Sequence, residues 1–419
     1  MVVFTSAYPY GHGEEFLDGE IPYLLTEFDR VIVVPTLQLR GQLPTRRVLD
    51  GVEVVAPETR GRRGLIELAA LCARHPLTAA RLLARTIRGA ADLSALRDDL
   101  QFDLLSTWVA LRVRRRLGAL LEEVPEVVFY GFWLGEPARV ALETRRLLRR
   151  PLSPAVARAN GFDLFAERSS RGYLPQRPLI LSGVDRVYAA SEPAQAYLQA
   201  RYPEFSEKYR VARIGTTAPI GAGNSRRLPV HVVSCCYISP VKRVPMLVDG
   251  LAELQRHGVE LRWSHIGWGA EDYVSEVIAY ARERLEPGTF EFLGHMESDE
   301  VRRWYAANPA TFFSQMSESE GGLAASIQEA LAQGLPVIVT SVGGVAVLAD
   351  AEQQMFDGLL AADHTPTEFA ERAELLLAVD DSTYRSYAAA AMEYWQQNCS
   401  AEVRAGGFAA GLRELSRRQ

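Results

Sequence analysis

The most constraining feature of the sequence is the repeated alternation of short apolar runs with helical patterns. In the N-terminal part, a β-branched run at 2–5 is followed by a glycine-containing loop at 8–13, a helical pattern at 16–28 and a second run at 31–34. Further candidates in this part are a strand at 127–130 and a helix at 137–149. Strand, loop, helix and strand in this order form a βαβ unit, whose strands pair in parallel.

A second series of the same kind begins after a polar, glycine-containing segment at 219–229, which we interpret as an interdomain linker. Its strand candidates alternate with helical patterns and lie at 230–236, 261–266, 290–293, 310–314 and 336–340. Such alternation implies a parallel sheet with helices on its faces. The length of 419 residues is too great for one common core and suits two α/β domains.

Composition excludes several classes of protein. The formal net charge of −6 gives no general electrostatic case for nucleic-acid binding. The four cysteines show neither zinc spacing nor a disulfide framework. The apolar start is too short for a signal peptide, and no apolar stretch approaches the roughly 18 to 20 residues that span a bilayer. We therefore expect a cytoplasmic protein without nucleic-acid partners.

Ligands of open parallel sheets bind at the carboxyl ends of the strands, so the loops after the second-series strands are the first place to look for a site. Lys242 and Arg243 follow the first of these strands and could meet a diphosphate, or could be a solvated pair at the start of a helix. Gly267 follows the next strand, where a glycine lets the backbone approach a ligand closely or simply makes a tight turn.

The stretch 317–336 contains an acidic glycine turn, a helix, a glycine stop and a strand. A helix that begins beside Gly321 and Gly322 would offer free backbone N–H groups to an anion. Glu329, on that helix, could accept both hydroxyls of a ribose. Alternatively, Glu320 is an acid favoured by the helix dipole and Glu329 is a surface residue. The glycines and proline that follow favour the functional interpretation.

This stretch also resembles a known family. Ser-Glu-Gly at 319–321, Glu-Ala-Leu-Ala-Gln-Gly-Leu-Pro-Val-Ile at 329–338 and Val-Gly-Gly at 342–344 resemble the retaining GT-B glycosyltransferases of family 4. The hallmark of that family is a pair of glutamates separated by seven residues. The segments 9–21 and 158–163 are similar to its first glycine loop and to a later loop of its N-terminal half. The matches run from residue 1 to about 410 and are closest in pattern to bacterial surface-polysaccharide glycosyltransferases.

The resemblance implies two Rossmann-like domains that face each other across a cleft. Residues 1–217, joined by helices at 385–419, would bind the acceptor, and residues 218–384 would bind the nucleotide sugar. The implied reaction moves a hexose from a UDP- or GDP-type donor to a hydroxyl of a glycan, a glycolipid or a small molecule, with retention of configuration. Lys242 and Arg243 would stabilise the charge on the leaving diphosphate, so neither a metal nor a cofactor is expected.

The resemblance also assigns site residues. Its catalytic candidates are Lys242, Arg243, Glu320 and Asn160. Its donor-binding candidates are Gly11, Gly13, Gly267, Gly321, Gly322, Leu323 and Glu329. Its acceptor-side candidates are His12, Glu14 and Asp163.

Three positions depart from the family pattern. Eight residues, not seven, lie between Glu320 and Glu329. Tyr237 stands where relatives often have an arginine, and Asn160 where many have a histidine. These departures keep open a non-catalytic relative that binds a nucleotide sugar. A second alternative is a sugar-nucleotide epimerase, which shares the GT-B architecture, although the Ser-Glu-Gly and Glu-Ala strings argue against it.

The arginine-rich segment 60–116 suggests where an acceptor carried by a lipid could be met. Arg81, Arg85 and Arg88 share one face of a predicted helix, with apolar neighbours that include Leu82 and Leu83. Such a helix can lie on an anionic membrane, which would place the protein at the inner face. Alternatively, its apolar side packs on the acceptor domain, the arginines stay paired or solvated, and the acceptor is soluble.

Overall fold

The two series of strands fold into two separate parallel sheets. The computed structural model describes residues 1–57 except 12, 39 and 40, residues 93–417 except 170, 222 and 351–354, and residues 73, 76 and 80 between them. The chain divides into two units, the first formed by Met1–Ala212 with Ala405–Gln419 and the second by Arg213–Arg404.

The first unit contains a sheet of seven strands among the described residues, in the order β3-β2-β1-β4-β5-β6-β7, with every neighbouring pair parallel. Its elements are β1 (Val2–Thr5), α1 (Ile21–Glu27), β2 (Val31–Pro35), β3 (Val52–Val54), α2 (Leu93–Leu120), β4 (Phe129–Gly131), α3 (Glu136–Leu147), β5 (Ala155–Ala159), α4 (Arg177–Gly183), β6 (Arg186–Ala189), α5 (Glu192–Arg201) and β7 (Tyr209–Val211).

The second unit contains a sheet of six described strands in the order β10-β9-β8-β11-β12-β13, again all parallel. Its elements are β8 (Val230–Cys235), α6 (Val244–Arg256), β9 (Leu261–Ile266), α7 (Glu271–Arg284), β10 (Phe290–Phe292), α8 (Ser298–Ala307), β11 (Phe312–Gln315), α9 (Ala325–Ala332), β12 (Val337–Thr340), β13 (Leu359–Leu360), α10 (Pro366–Ala378) and α11 (Asp381–Asn398). The last helix of the chain, α12 (Ala401–Arg417), returns to the first unit.

Successive side chains of a strand point to opposite faces of its sheet. Helices cover both faces of each of these sheets. In the first unit, Val2 and Phe4 pack with α2 and α3, whereas Val3 packs on the other face with α1 and α12. In the second unit, Val232 packs with α6, α7 and α10, and the next residue, Val233, packs with α8, α9 and α11. Sheets buried on both faces explain why the strands read as continuous apolar runs.

The return to the first unit starts later than the predicted residue 385. Helix α11 belongs to the second unit, where Tyr394 and Trp395 are buried in the core beside α9. The Trp395 indole donates to Thr216 Oγ1 at 2.8 Å, and residue 216 also pairs with residue 400. The two units meet at 212/213, whereas the sequence predicted 217/218, and residues 405–419 join the first unit. The contacts of Thr216 keep that residue in the second unit.

Candidate functional site

Lys242 lies at the carboxyl edge of the second sheet. Strand β8 is followed by a loop, a short 3₁₀ turn at Pro240–Lys242 and then helix α6. The Lys242 ammonium forms a short ion pair with Glu320 Oε1, and the two side chains are 18% and 10% exposed. Only two of the 46 lysines and arginines in the sequence are lysines, Lys208 and Lys242. The rarity of lysine in this sequence is a second feature, besides the motif, that distinguishes Lys242.

The Glu320 carboxylate also accepts hydrogen bonds from side chains close to it in the sequence. Its Oε1 also accepts from Ser317 Oγ at 2.6 Å and from Gln315 Nε2 at 2.8 Å. Ser326, in α9, donates to Gln315 Oε1 at 2.8 Å. All these bonds fall on Oε1, so Oε2 has no hydrogen-bond partner among the described residues. Gln315, Ser317 and Ser326 were not identified from the sequence.

Arg243 binds the backbone of the same edge. Its Nε donates to the Met316 carbonyl at 2.8 Å, and its terminal nitrogens donate to the carbonyls of Ser317 at 2.9 Å and Ala362 at 2.6 Å. A guanidinium has five N–H groups, so two remain for another acceptor. Arg243 therefore fastens the loops after β11 and β13, and its predicted contact with a diphosphate stays a prediction.

Two glycines allow the loops at this edge to touch each other. A Cβ atom on Gly343, where φ is +50°, would lie 1.8 Å from the carbonyl oxygen of Glu320. One on Gly267, where φ is +126°, would lie 2.0 Å from the carbonyl oxygen of Cys236. Both contacts exclude any side chain. The close approach predicted at Gly267 is thus made to a neighbouring loop.

Helix α9 begins at Ala325, so Gly321, Gly322 and Leu323 lie in the loop before it and not in its first turn. Glu329 is partly buried on α9. Burial and, next, the charge of Glu329 raise the pKa of the Cys235 thiol, whereas Lys242 lowers it. The charges of Glu329 and Lys242 therefore both influence the pKa of Cys235, the last residue of β8.

The exposed Tyr237 also follows β8. Among the described residues, no group of three or more His, Cys, Asp and Glu side chains could hold a metal ion.

In the first unit, Glu14 and Asp163, which were predicted on the acceptor side, hold loops together through their carboxylates. The buried Glu14 carboxylate accepts backbone N–H bonds from residues 6, 7 and 8 and the indole N–H of Trp133. The buried Asp163 carboxylate accepts from the backbone of Asn160, Gly161 and Leu134 at 2.8–3.0 Å. With their oxygens committed in this way, both residues shape the loops after β1, β4 and β5.

The other first-unit predictions lie on these same loops. Gly13 has a φ of +96° and donates its N–H to Glu15, and Gly11 accepts from Arg46 at 2.9 Å. The Asn160 amide donates to the carbonyl of Phe132 at 3.4 Å, while its Oδ1 is buried without a partner among the described residues. His12 lies outside the described residues, as do Arg81, Arg85 and Arg88.

A buried network behind these loops was not predicted. The Arg158 guanidinium donates to Glu20 at 2.6 Å and to the Tyr130 hydroxyl at 2.8 Å, and the same hydroxyl donates to Glu20 at 2.8 Å. Arg158 also lies over the ring of Phe408 at 3.9 Å. It therefore ties β4, β5 and α12 together, although sequence motifs suggested only that 158–163 formed a functional loop.

The family comparison covers the second unit. Residues 229–379 match the model of the family described as glycosyl transferases group 1. That range includes Lys242, Glu320 and Glu329, and thus the whole edge described above. Among curated proteins, none is significantly similar to the chain in sequence.

Solved structures match over the whole length. HepE from Anabaena, determined in complex with UDP and glucose, is 16% identical with a TM-score of 0.65, and the match covers 99% of both chains. Sucrose-phosphate synthase from Thermosynechococcus elongatus is 15% identical with a TM-score of 0.68, over 100% of this chain and 99% of that one. The lipopolysaccharide outer core galactosyltransferase WaaB is 12% identical with a TM-score of 0.62, over 98% and 99%.

At such low sequence identities, the structural matches show the fold alone. They confirm the predicted GT-B class with two Rossmann-like domains. Residues 229–379 are therefore similar to the glycosyl transferases group 1 family, in a chain that has the fold of the GT-B glycosyltransferases.

Proposed function

We propose that the protein is a retaining, metal-independent glycosyltransferase that moves a hexose from a nucleotide diphosphate sugar to a hydroxyl group. The observation that carries the proposal is the pairing of Lys242 with Glu320 at the carboxyl edge of the second sheet, inside the matched family domain. HepE, the structural neighbour bound to UDP and glucose, supports a UDP-type donor.

The proposed roles follow from the charges at this edge. Lys242 would stabilise the negative charge that develops on the departing diphosphate. The unpartnered Oε2 of Glu320 would accept a hydroxyl of the donor sugar, and Glu329 would accept the hydroxyls of the ribose. The acceptor hydroxyl would attack from the face that the diphosphate leaves, and a phosphate oxygen would take its proton. No side-chain base is then required.

Protection of Lys242 from an amine-acylating reagent tests the donor site directly. Lys208 is the internal control, because it is the other lysine and its ammonium donates to carbonyls of the first unit. UDP should slow acetylation of Lys242, measured by peptide mass spectrometry, and leave Lys208 unchanged. Equal acetylation of Lys242 with and without saturating UDP, GDP, ADP or TDP would exclude it from a phosphate site.

Turnover separates the two alternative functions from transfer. An epimerase converts the donor to its epimer without an acceptor, and a non-catalytic binder leaves the donor intact. A transferase hydrolyses the donor slowly when no acceptor is present. Incubation with a panel of nucleotide sugars, followed by chromatography of the nucleotide and sugar products, distinguishes these three outcomes.

The acceptor is proposed to be a glycan, a lipid-linked glycan or a natural product. No described helix is both long and apolar enough to cross a bilayer. Within the arginine-rich segment, Arg112 donates to the carbonyl of Pro57, and Arg116 pairs with Glu53. These two arginines are used inside their own unit, which supports the alternative that the segment packs on the protein.

Liposome flotation decides between the two kinds of acceptor. A protein that serves a lipid-linked acceptor should float with anionic vesicles at low salt and be released at high salt, because surface attraction is screened over about 10 Å at 0.1 M. Absence from the floating fraction at low salt would favour a soluble acceptor.

A further inference from the structure

A groove lies beside β10, the outermost described strand on one side of the second sheet. It has a volume of about 480 Å³, which falls within the range of ligand-binding clefts. Phe290 and Phe292 of β10 line one side of the groove. Ile278 and Arg282 of α7 line the other side. Both phenylalanines pack on the core of this unit, yet both stay partly exposed. The groove is therefore bounded by the outer side of a strand and by one face of a helix.

The backbone of β10 carries hydrogen-bonding groups that the sheet does not use. β10 pairs with β9 on one side, and no described strand pairs with its other side. The Thr289 carbonyl and the Leu293 N–H bond to β9 at 2.7 and 2.8 Å. Backbone direction alternates along a strand, so the N–H and C=O groups of Phe290 and Phe292 point away from β9. These four groups have no hydrogen-bond partner among the described residues.

The side chains that line the groove include one cation without an acid. Glu291 also lines it, but its carboxylate is paired with Arg262. Arg282 is exposed on α7 and forms no ion pair with any of the described residues. Ile278 lies four residues before it and Leu285 three residues after it, so all three share one face of the helix. The helix side of the groove is thus apolar, cationic and apolar in turn.

An unpaired strand side is complementary to another extended backbone, and strand addition of this kind recognises alternate side chains of the added segment. We propose that the groove binds an extended segment of another protein, which adds a strand beside β10. Its acidic side chain pairs with Arg282, and apolar side chains two residues before and after it contact Ile278 and Leu285.

The spacing of the two elements suits this register. Alternate side chains of a strand lie about 6.6 Å apart, close to the rise of about 6 Å between Ile278 and Arg282 on the helix. Charge also argues for a different protein instead of a second copy. The β10 strand of a second copy would bring no acid to Arg282, because Glu291 points to the opposite face from Phe290 and Phe292.

Fluorescence anisotropy with the full chain tests the groove with labelled heptapeptides of the sequence Thr-X-Thr-Glu-Thr-X-Thr, where X is valine, leucine or phenylalanine. At least one of them should bind with a Kd below about 1 mM. A peptide that is N-methylated at its glutamate and at the next threonine should bind at least about 5-fold more weakly. One of these two amides faces β10 in either strand direction, so its hydrogen bond is lost.

A double-mutant cycle tests the ion pair. With the wild-type chain, the peptide that has glutamine in place of glutamate should bind about 2- to 5-fold more weakly, the effect of one exposed ion pair. With Arg282→Ala, the two peptides should bind equally, which a merely structural role of Arg282 would not produce. Arg284→Ala is the matched control on the same helix, because Arg284 is exposed, pairs with Asp249 at 3.3 Å and does not line the groove.

Four outcomes would overturn the proposal. No peptide binds the folded wild-type chain with a Kd below about 1 mM, or the N-methylated peptide binds as well as its parent. Saturating UDP displaces the peptide, which would place the peptide at the carboxyl edge of the sheet. Light scattering shows a dimer that the peptides dissociate, which would assign the groove to a second copy of the chain. Calorimetry of the same preparation with UDP reports on the proposed function separately.

Discussion

Lys242 is the residue whose removal should affect chemistry most. Lys242→Ala should lower turnover by about 10²- to 10³-fold, as expected when one charge-stabilising group is lost. The cost to folding should stay below the roughly 3–5 kcal/mol of a stranded buried charge, because Ser317 and Gln315 still donate to Glu320. Steady-state kinetics and Tm check both statements.

Lys208→Ala is the control for charge removal, since Lys208 lies in the first unit, and it should keep wild-type turnover. Turnover near wild type in Lys242→Ala would remove Lys242 from the phosphate site.

Glu329 should act on binding more than on rate. A carboxylate that accepts ribose hydroxyls interacts equally with the ground state and the transition state, so Glu329→Ala should raise KM with a smaller change in kcat. Calorimetry with UDP measures the loss of affinity directly. The exposed Glu371 of α10 provides a matched Glu→Ala control in the same unit. Unchanged UDP affinity in Glu329→Ala would mean that the glutamate does not contact the nucleotide.

At the scale of elements, the first turn of helix α3 contains a buried glutamate whose ionisation destabilises the folded state. Burial raises the pKa of Glu136, in the first turn of α3, from 4.5 to about 7. Between these two values the folded state binds the proton and the unfolded state does not, so this group lowers stability as pH rises from about 4.5 to 7. Above pH 7 the loss is complete.

Glu136→Gln should therefore stabilise the protein by roughly 1–3 kcal/mol at pH 8 and change little at pH 4. Urea unfolding at the two pH values measures the difference. Glu123→Gln, at an exposed site after α2, is the matched control for replacing a carboxylate by an amide. An equal effect of Glu136→Gln at both pH values would contradict a raised pKa at this position.

Loops, more than helices or strands, define the edge of the second sheet. Gly343 and Gly267 let neighbouring loops touch at distances that leave no room for a Cβ atom. Arg243 then ties two of these loops to one side chain. Lys242 and Glu320 owe their pairing to this framework, because they lie 78 positions apart in the sequence.

For the whole molecule, catalysis should not depend on a divalent cation. The proposed stabilisation of the diphosphate comes from Lys242 and backbone N–H groups, so activity should survive dialysis against EDTA. Product release can still respond to metal, and single-turnover measurements separate that effect from chemistry. Complete loss of single-turnover activity in EDTA, restored by manganese or magnesium, would argue against the proposed mechanism.

The sequence by itself determined the two parallel α/β units. Apolar periodicity and glycine positions are local properties, and they predicted β1 at 2–5 and β9 at 261–266 with the bounds that the structure has. Strands β3, β5, β6, β7 and β13 were not predicted, because a charged side chain occurs in each of the first four and β13 has only two residues. The sequence also predicted that Lys242, Glu320 and Glu329 lie at one edge of the second sheet, because parallel strands end at the same edge.

Only the tertiary structure decided how individual polar groups are used. Glu14 and Asp163 were acceptor-side candidates in the sequence, and the structure shows that each is buried and accepts N–H bonds from the loops that fold around it. Trp395 keeps α11 in the second unit through a bond to residue 216, 179 positions away. Hydrogen-bond partners of this kind depend on distances between remote segments, and periodicity along the chain does not encode those distances.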